Sequence, residues 1–109
     1  TSRFRQAVQS RARTDERLHQ LETDLALDYR IALNDAKVAK ERIAVTETSI
    51  KQGEENLRIN RDRYQEQVGT ATDVIDAQTL LTQIKNDHYQ AIFDYEVALS
   101  RVKRARGEL

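Results

Sequence analysis

From Val74 onward, small or apolar residues recur in alternating steps of three and four: Val74, Ala77, Leu81, Ile84, His88, Ala91, Tyr95, Ala98, Val102, Ala105 and Leu109. A repeat of 3.5 residues held over such a length marks a helix that packs along a coiled-coil seam. The first part of the chain carries a matching seam. It runs Tyr64, Asn60, Leu57, Gly53, Ile50, Thr46, Ile43, Ala39, Ala36, Ala32 and Tyr29, and is weakest at Asn60, Gly53 and Thr46. The 109 residues contain no Pro and only three Gly, which argues against turn-rich sandwiches and barrels. High Ala, Glu, Lys, Arg, Leu and Gln content instead predicts long helix.

One stretch reads as a true interruption, Gln67-Val68-Gly69-Thr70-Ala71-Thr72. Gly69 is the residue expected to turn left-handed there, since it has no Cβ to clash. Thr70 is placed to cap the next helix, and Asp73 three residues on completes an approximate capping box. Gly53 reads as a mid-helix glycine, costing roughly 1 kcal/mol against Ala. Gly107 is placed to end the second helix. The expected fold is all-α: a long antiparallel α-helical coiled-coil hairpin. Its parts are a first helix over residues 1–66, a tip turn over 67–72 and a returning helix over 73–109.

Folding at Gly69 predicts that facing residues have numbers summing to about 138. Tyr64 then faces Val74, Leu57 faces Leu81, Ile50 faces His88, Ile43 faces Tyr95, Ala36 faces Val102 and Tyr29 faces Leu109. On that register, cysteines at Ile43 and Tyr95 are expected to cross-link. The hairpin is lopsided. Phe4, Val8, Leu18, Leu21 and Leu25 extend the first stripe beyond the reach of the second helix. Helix 2 also carries Ile75, Leu80, Ile92, Phe93, Val97 and Leu99 away from its seam. A two-stranded hairpin needs only one narrow stripe, so neighbours on further sides are expected.

The side chains suggest no catalysis and no cofactor. There is no Cys, hence no disulfide and no thiolate metal site. Neither a phosphate loop, a zinc-protease motif nor a nucleophile elbow occurs. His19 and His88 lie far apart, and His88 falls on the seam as a packed or hydrogen-bonded residue. Lys plus Arg and Asp plus Glu both number 18, which argues against a nucleic-acid binder. Arg3, Arg5, Arg11, Arg13 and Arg17 on helix 1 do not coincide with Arg101, Lys103, Arg104 and Arg106 on helix 2. Both groups read as solvated faces, the second complementing a helix C-terminus. No stretch has the ~18 apolar residues of a membrane span. Residues 1–5 lack the apolar core of a signal peptide, so export would rest on a signal outside this stretch.

The residues around the break resemble the TolC family of trimeric outer-membrane efflux ducts. They are Arg63-Tyr64, Asp73-Val74-Ile75-Asp76-Ala77-Gln78 and Leu80-Leu81, followed by Ala91, Asp94-Tyr95, Ala98-Leu99, Arg101, Arg104-Ala105 and Gly107. The family has an Arg-Tyr, then an Asp-Val-Leu-x-Ala-Gln nine residues after that Tyr, and nine residues after Tyr64 is Asp73. The resemblance implies a periplasmic segment of the tunnel, with the β-barrel that contacts the outer membrane lying outside this stretch. It implies a homotrimer, and a tip that docks a periplasmic adaptor (a membrane fusion protein) serving an inner-membrane pump. Asp73 and Asp76 would charge the constricted entrance, and Tyr64 would help hold it closed. Gln67, Val68, Gly69 and Thr70 would form the docking tip. In the family a glycine usually follows the tyrosine by three residues. This chain has Gln67 there and its glycine at Gly69, so a tip of different conformation is expected. The alternative reading is a structural coiled-coil scaffold, or an adaptor-type helical hairpin.

Overall fold

The computed structural model describes residues 1–107 and is a helical hairpin. Helix α1 spans Ser2–Gln65 and α2 spans Ala71–Ala105. At ~1.5 Å per residue, a straight α1 is about as long as the molecule, whose extents are 96 × 23 × 17 Å. Helix α2 begins two residues before the sequence-based boundary, because Thr70 takes the cap position and frees Ala71 to enter the helix. It ends at Ala105, and Gly107 beyond it turns left-handed at φ 77°. The expected pairing of Tyr29 with Leu109 lies outside the described residues.

The seam is where the periodicity puts it. Ala32, Ala36, Ala39, Gly53 and Leu57 of α1 are buried, as are Ala77, Leu81, Ala91, Ala98 and Val102 of α2. The remaining described seam residues are half-buried, except Tyr64, which stays exposed at the tip. Leu57, Ala77 and Leu81 form a contiguous buried cluster, with Ile50 and Val74 against it. Helix α1 runs unbroken through Gly53. The glycine is a seat: a Cβ there would stand 3.2 Å from Leu81 Cδ1 and 3.4 Å from Ile84 Cδ1.

The register differs from the one expected. Gly53 meets Leu81, and Thr46 Oγ1 lies 2.8 Å from His88 Nδ1, so facing seam residues sum to 134, not 138. The physical reason is the heptad. Sums of 138 and 137 set like positions face to face, a on a and d on d. Antiparallel seams mesh when the a residue of one helix meets the d residue of the other. The observed offset also sets small against large: Gly53 on Leu81, and by the same count Leu57 on Ala77, Ile43 on Ala91 and Ala39 on Tyr95. Cysteines replacing Ile43 and Ala91 are therefore expected to oxidise to an intrachain disulfide much faster than the pair at Ile43 and Tyr95. Gel shift after mild oxidation checks this.

His88 is held within the seam by a hydrogen bond, as expected of a packed histidine. The Thr46 hydroxyl donates to the Arg42 carbonyl at 2.7 Å. With that single proton used, the Nδ1–H tautomer of His88 completes the bond to Thr46.

Two ion pairs flank the seam: Arg42 to Asp94 at 2.9 Å and Arg101 to Asp35 at 3.0 Å. They come from a repeated pattern. Asp35, Val38, Ala39 and Arg42 share the spacing of Asp94, Val97, Ala98 and Arg101. Because the helices run antiparallel, each Asp meets the other segment's Arg, with Ala39 and Ala98 buried between. Such exposed pairs stabilise by only about 0.2–1 kcal/mol each.

Candidate functional site

The tip is built from the end of α1, a short turn and the start of α2. Chain reversal is set by Gln67, which takes φ 65°, while Gly69 is not left-handed. Gln67 N donates to the Tyr64 carbonyl at 3.1 Å, and Val68 N to the Arg63 carbonyl at 2.9 Å. These are the two bonds of a Schellman end, which requires its left-handed residue one place after the cap Glu66. The turn therefore falls at position 67, where the resembled family carries its glycine, although this chain has glutamine there.

Gly69 serves a different need. Its N–H donates to the same Arg63 carbonyl at 3.1 Å, and a Cβ on it would lie 3.1 Å from Arg63 Cβ. A side chain at this position would crowd Arg63, which would have to give by a few tenths of an ångström. Arg63 closes the loop from the other side, its guanidinium donating to the Val68 carbonyl at 3.3 Å. In the sequence Arg63 stands out only for its place beside Tyr64, and this role does not show there. The signal available was a basic residue in the last turn of a helix that ends near a free carbonyl.

Helix α2 then opens on a complete capping box. Asp73 N donates to Thr70 Oγ1 at 3.1 Å, and Thr70 N donates back to Asp73 Oδ2 at 3.2 Å. Asp73 thus spends one carboxylate oxygen on the cap and sits where the helix dipole favours negative charge. Asp76 is exposed one turn further along the same helix. Tyr64 and Val68 are exposed as well. The tip therefore brings Tyr64, Gln67, Val68, Gly69, Thr70 and Asp73 into one compact turn, with Asp76 at its margin.

Glycine at position 67 is expected to raise stability by about 1 kcal/mol, since it removes the steric penalty of a left-handed side chain. Urea unfolding followed by circular dichroism checks the gain.

On α1 near the tip, Arg58 donates to Glu55 on one side and to Asp62 at 2.9 Å on the other. The hydrogen bond from Arg58 holds the Glu55 carboxyl below its ordinary range and pushes the guanidinium further up. All three groups are on one helix and in water, so they brace α1 locally and do not join the helices.

Farther along, Arg101 is engaged with Asp35, and Arg106 donates to the Tyr29 hydroxyl at 3.1 Å and lies over its ring. These basic residues serve the hairpin's own closure. Among the described residues there is no cluster of His, Cys, Asp or Glu suited to a metal. No described helix is long and apolar enough to cross a membrane. No protein-family model matches the chain, and no curated protein or solved structure matches it either.

Proposed function

We propose that this chain is the periplasmic tunnel segment of a trimeric outer-membrane efflux or secretion duct. In this reading its tip docks a periplasmic adaptor and gates passive export. The observation that carries the reading is apolar surface the hairpin itself leaves open. Ile75, Leu80, Phe93 and Val97 of α2 stand exposed away from the seam, as wall helices need when they have neighbours on both flanks. The tip adds support through Tyr64, the left-handed position three residues later, and Asp73 nine residues later. A plain spacer has no use for that spacing.

The mechanism is mechanical. Hairpins splay at the tip when the adaptor engages, and the carboxylates of Asp73 and Asp76 bias the narrow entrance toward cations. The test is fractionation of the full-length protein in its own cells, with unboiled gel analysis. Trimer in the outer membrane is expected, and soluble protein in the cytoplasm overturns the reading. Asn at both 73 and 76 keeps an acceptor for the Thr70 N–H while removing two charges per chain. Closed-channel conductance in planar bilayers is then expected to rise, or its block by cations to weaken. No change in either removes the gate role.

A further inference from the structure

The buried part of the seam is interrupted. Away from the tip it runs over residues 32–39 of α1 and 91–102 of α2, and toward the tip it resumes over 53–57 and 77–81. Between these stretches come two facing pairs, Thr46 with His88 and, by the same count, Ile50 with Ile84, and all four residues are only half-buried. Ile50 packs on the tip-side cluster, so the division falls at Thr46 and His88. On the far side of it the Arg42–Asp94 and Asp35–Arg101 ion pairs tie the helices together. Both helices are also weak at this level. Thr46, Thr48 and Ser49 of α1 lie level with Asn86, Asp87 and His88 of α2, and all six are among the poorer helix formers. Thr46 and Ser49 turn their hydroxyls back onto the Arg42 and Val45 carbonyls at 2.7 and 3.0 Å. That bonding loosens a helix and favours bending.

We propose that the Thr46–His88 layer is a hinge, at which the tip half of the hairpin bends as one unit against the remainder. The tip half keeps its own core of Leu57, Ala77 and Leu81, so it moves without opening. In a seam packed throughout, bending at any layer exposes buried side chains, whereas at this layer little burial is at stake. The 2.8 Å hydrogen bond between Thr46 and His88 is directional, and it holds the two helices level where the apolar contact is thin. The tip lies about 30 Å beyond this layer, so a small tilt carries it several ångströms. The hinge stands independently of the duct reading. Within that reading it fixes where along the wall a hairpin yields when its tip is pulled.

The test uses the 109-residue chain in solution. The chain has no cysteine, so spin labels attach only where one is introduced. A K37C/E54C pair brackets the layer from exposed sites of α1 about 26 Å apart. Its distance distribution is expected to narrow when T46A/H88L fills the layer with an apolar small–large pair like Gly53 and Leu81. Hydrogen exchange of the unlabelled parent reads the same layer. Amides of residues 46–50 are expected to exchange about tenfold faster than those of 53–57 in the same helix, and the difference is expected to vanish in T46A/H88L. A distribution as narrow in the parent as in T46A/H88L, or equal protection of the two stretches in the parent, overturns the hinge. If circular dichroism shows that T46A/H88L has lost helix, the exchange pattern of the parent decides alone. A failure here leaves the cellular fractionation result untouched, because that experiment reads the full-length protein.

Discussion

Alanine in place of Leu81 is expected to lower the unfolding free energy of the hairpin by about 2–4 kcal/mol. Leu81 is 4% exposed and fills the seat opposite Gly53. Alanine there removes the transfer free energy of the lost carbons. It also leaves a gap that Gly53, having no side chain, is unable to refill. Two rigid helices joined by a short tip collapse poorly onto such a gap, which favours the upper part of the range. Denaturant unfolding monitored by helix signal checks the result. A loss below about 1 kcal/mol is the size expected at an exposed position, and it would refute the assigned contact.

Valine in place of Gly53 is expected to cost about 1–3 kcal/mol through overpacking. This is notable because the same change in a bare helix would be favourable, glycine being among the poorest helix formers. The first carbon alone would already stand 3.2 Å from Leu81 Cδ1, and a branched side chain reaches further. The two changes are coupled. In the Leu81→Ala background the added valine enters space already vacated, so its cost is expected to fall well below that in the parent chain. Equal costs in both backgrounds would show that Gly53 and Leu81 do not face each other.

Helix identity, seam membership and capping were legible in the sequence, each for a local reason. Periodicity names the residues that share a face, and Thr70 with Asp73 names a helix start. Register was less legible, because a repeat says which residues lie on the seam but not which heptad position meets which. The small–large pairing at Gly53 and Leu81 held the answer. Gly53 was read as merely tolerated, since its value appears only when the opposite helix is in place.

The tip was misread for a similar reason. Glycine's freedom drew attention to Gly69, whereas the left-handed position is fixed by where α1 stops and by the bonds its last carbonyls accept. Gln67 takes the left-handed conformation because the hydrogen-bonded end places it there, and Gly69 lets the loop run close to Arg63 without crowding it. The candidate site was legible only as a set of spacings. Its residues carry shape and charge and no reactive group, so side-chain chemistry offers no independent route to a function.

The twin Asp and Arg pairs bear on a kind of error the apolar pattern is blind to. Sliding one helix past the other by a whole heptad returns every seam residue to a seam position, so the apolar pattern does not register the mistake, and among apolar contacts only the fit of particular pairs such as Gly53 with Leu81 does. The charges register it in one direction. One such slide sets Arg42 level with Arg101, whereas the opposite slide sets Asp35 level with Asp94 but brings Asp87 to Arg42 and Asp28 to Arg101. Each correct pair is weak; the first slide replaces attraction with repulsion, while the second keeps two Arg–Asp pairs and is scarcely opposed by charge. Arg and Asp at these spacings thus act as a one-sided frame check on a closing hairpin, rejecting in one direction a misalignment that the apolar pattern would accept.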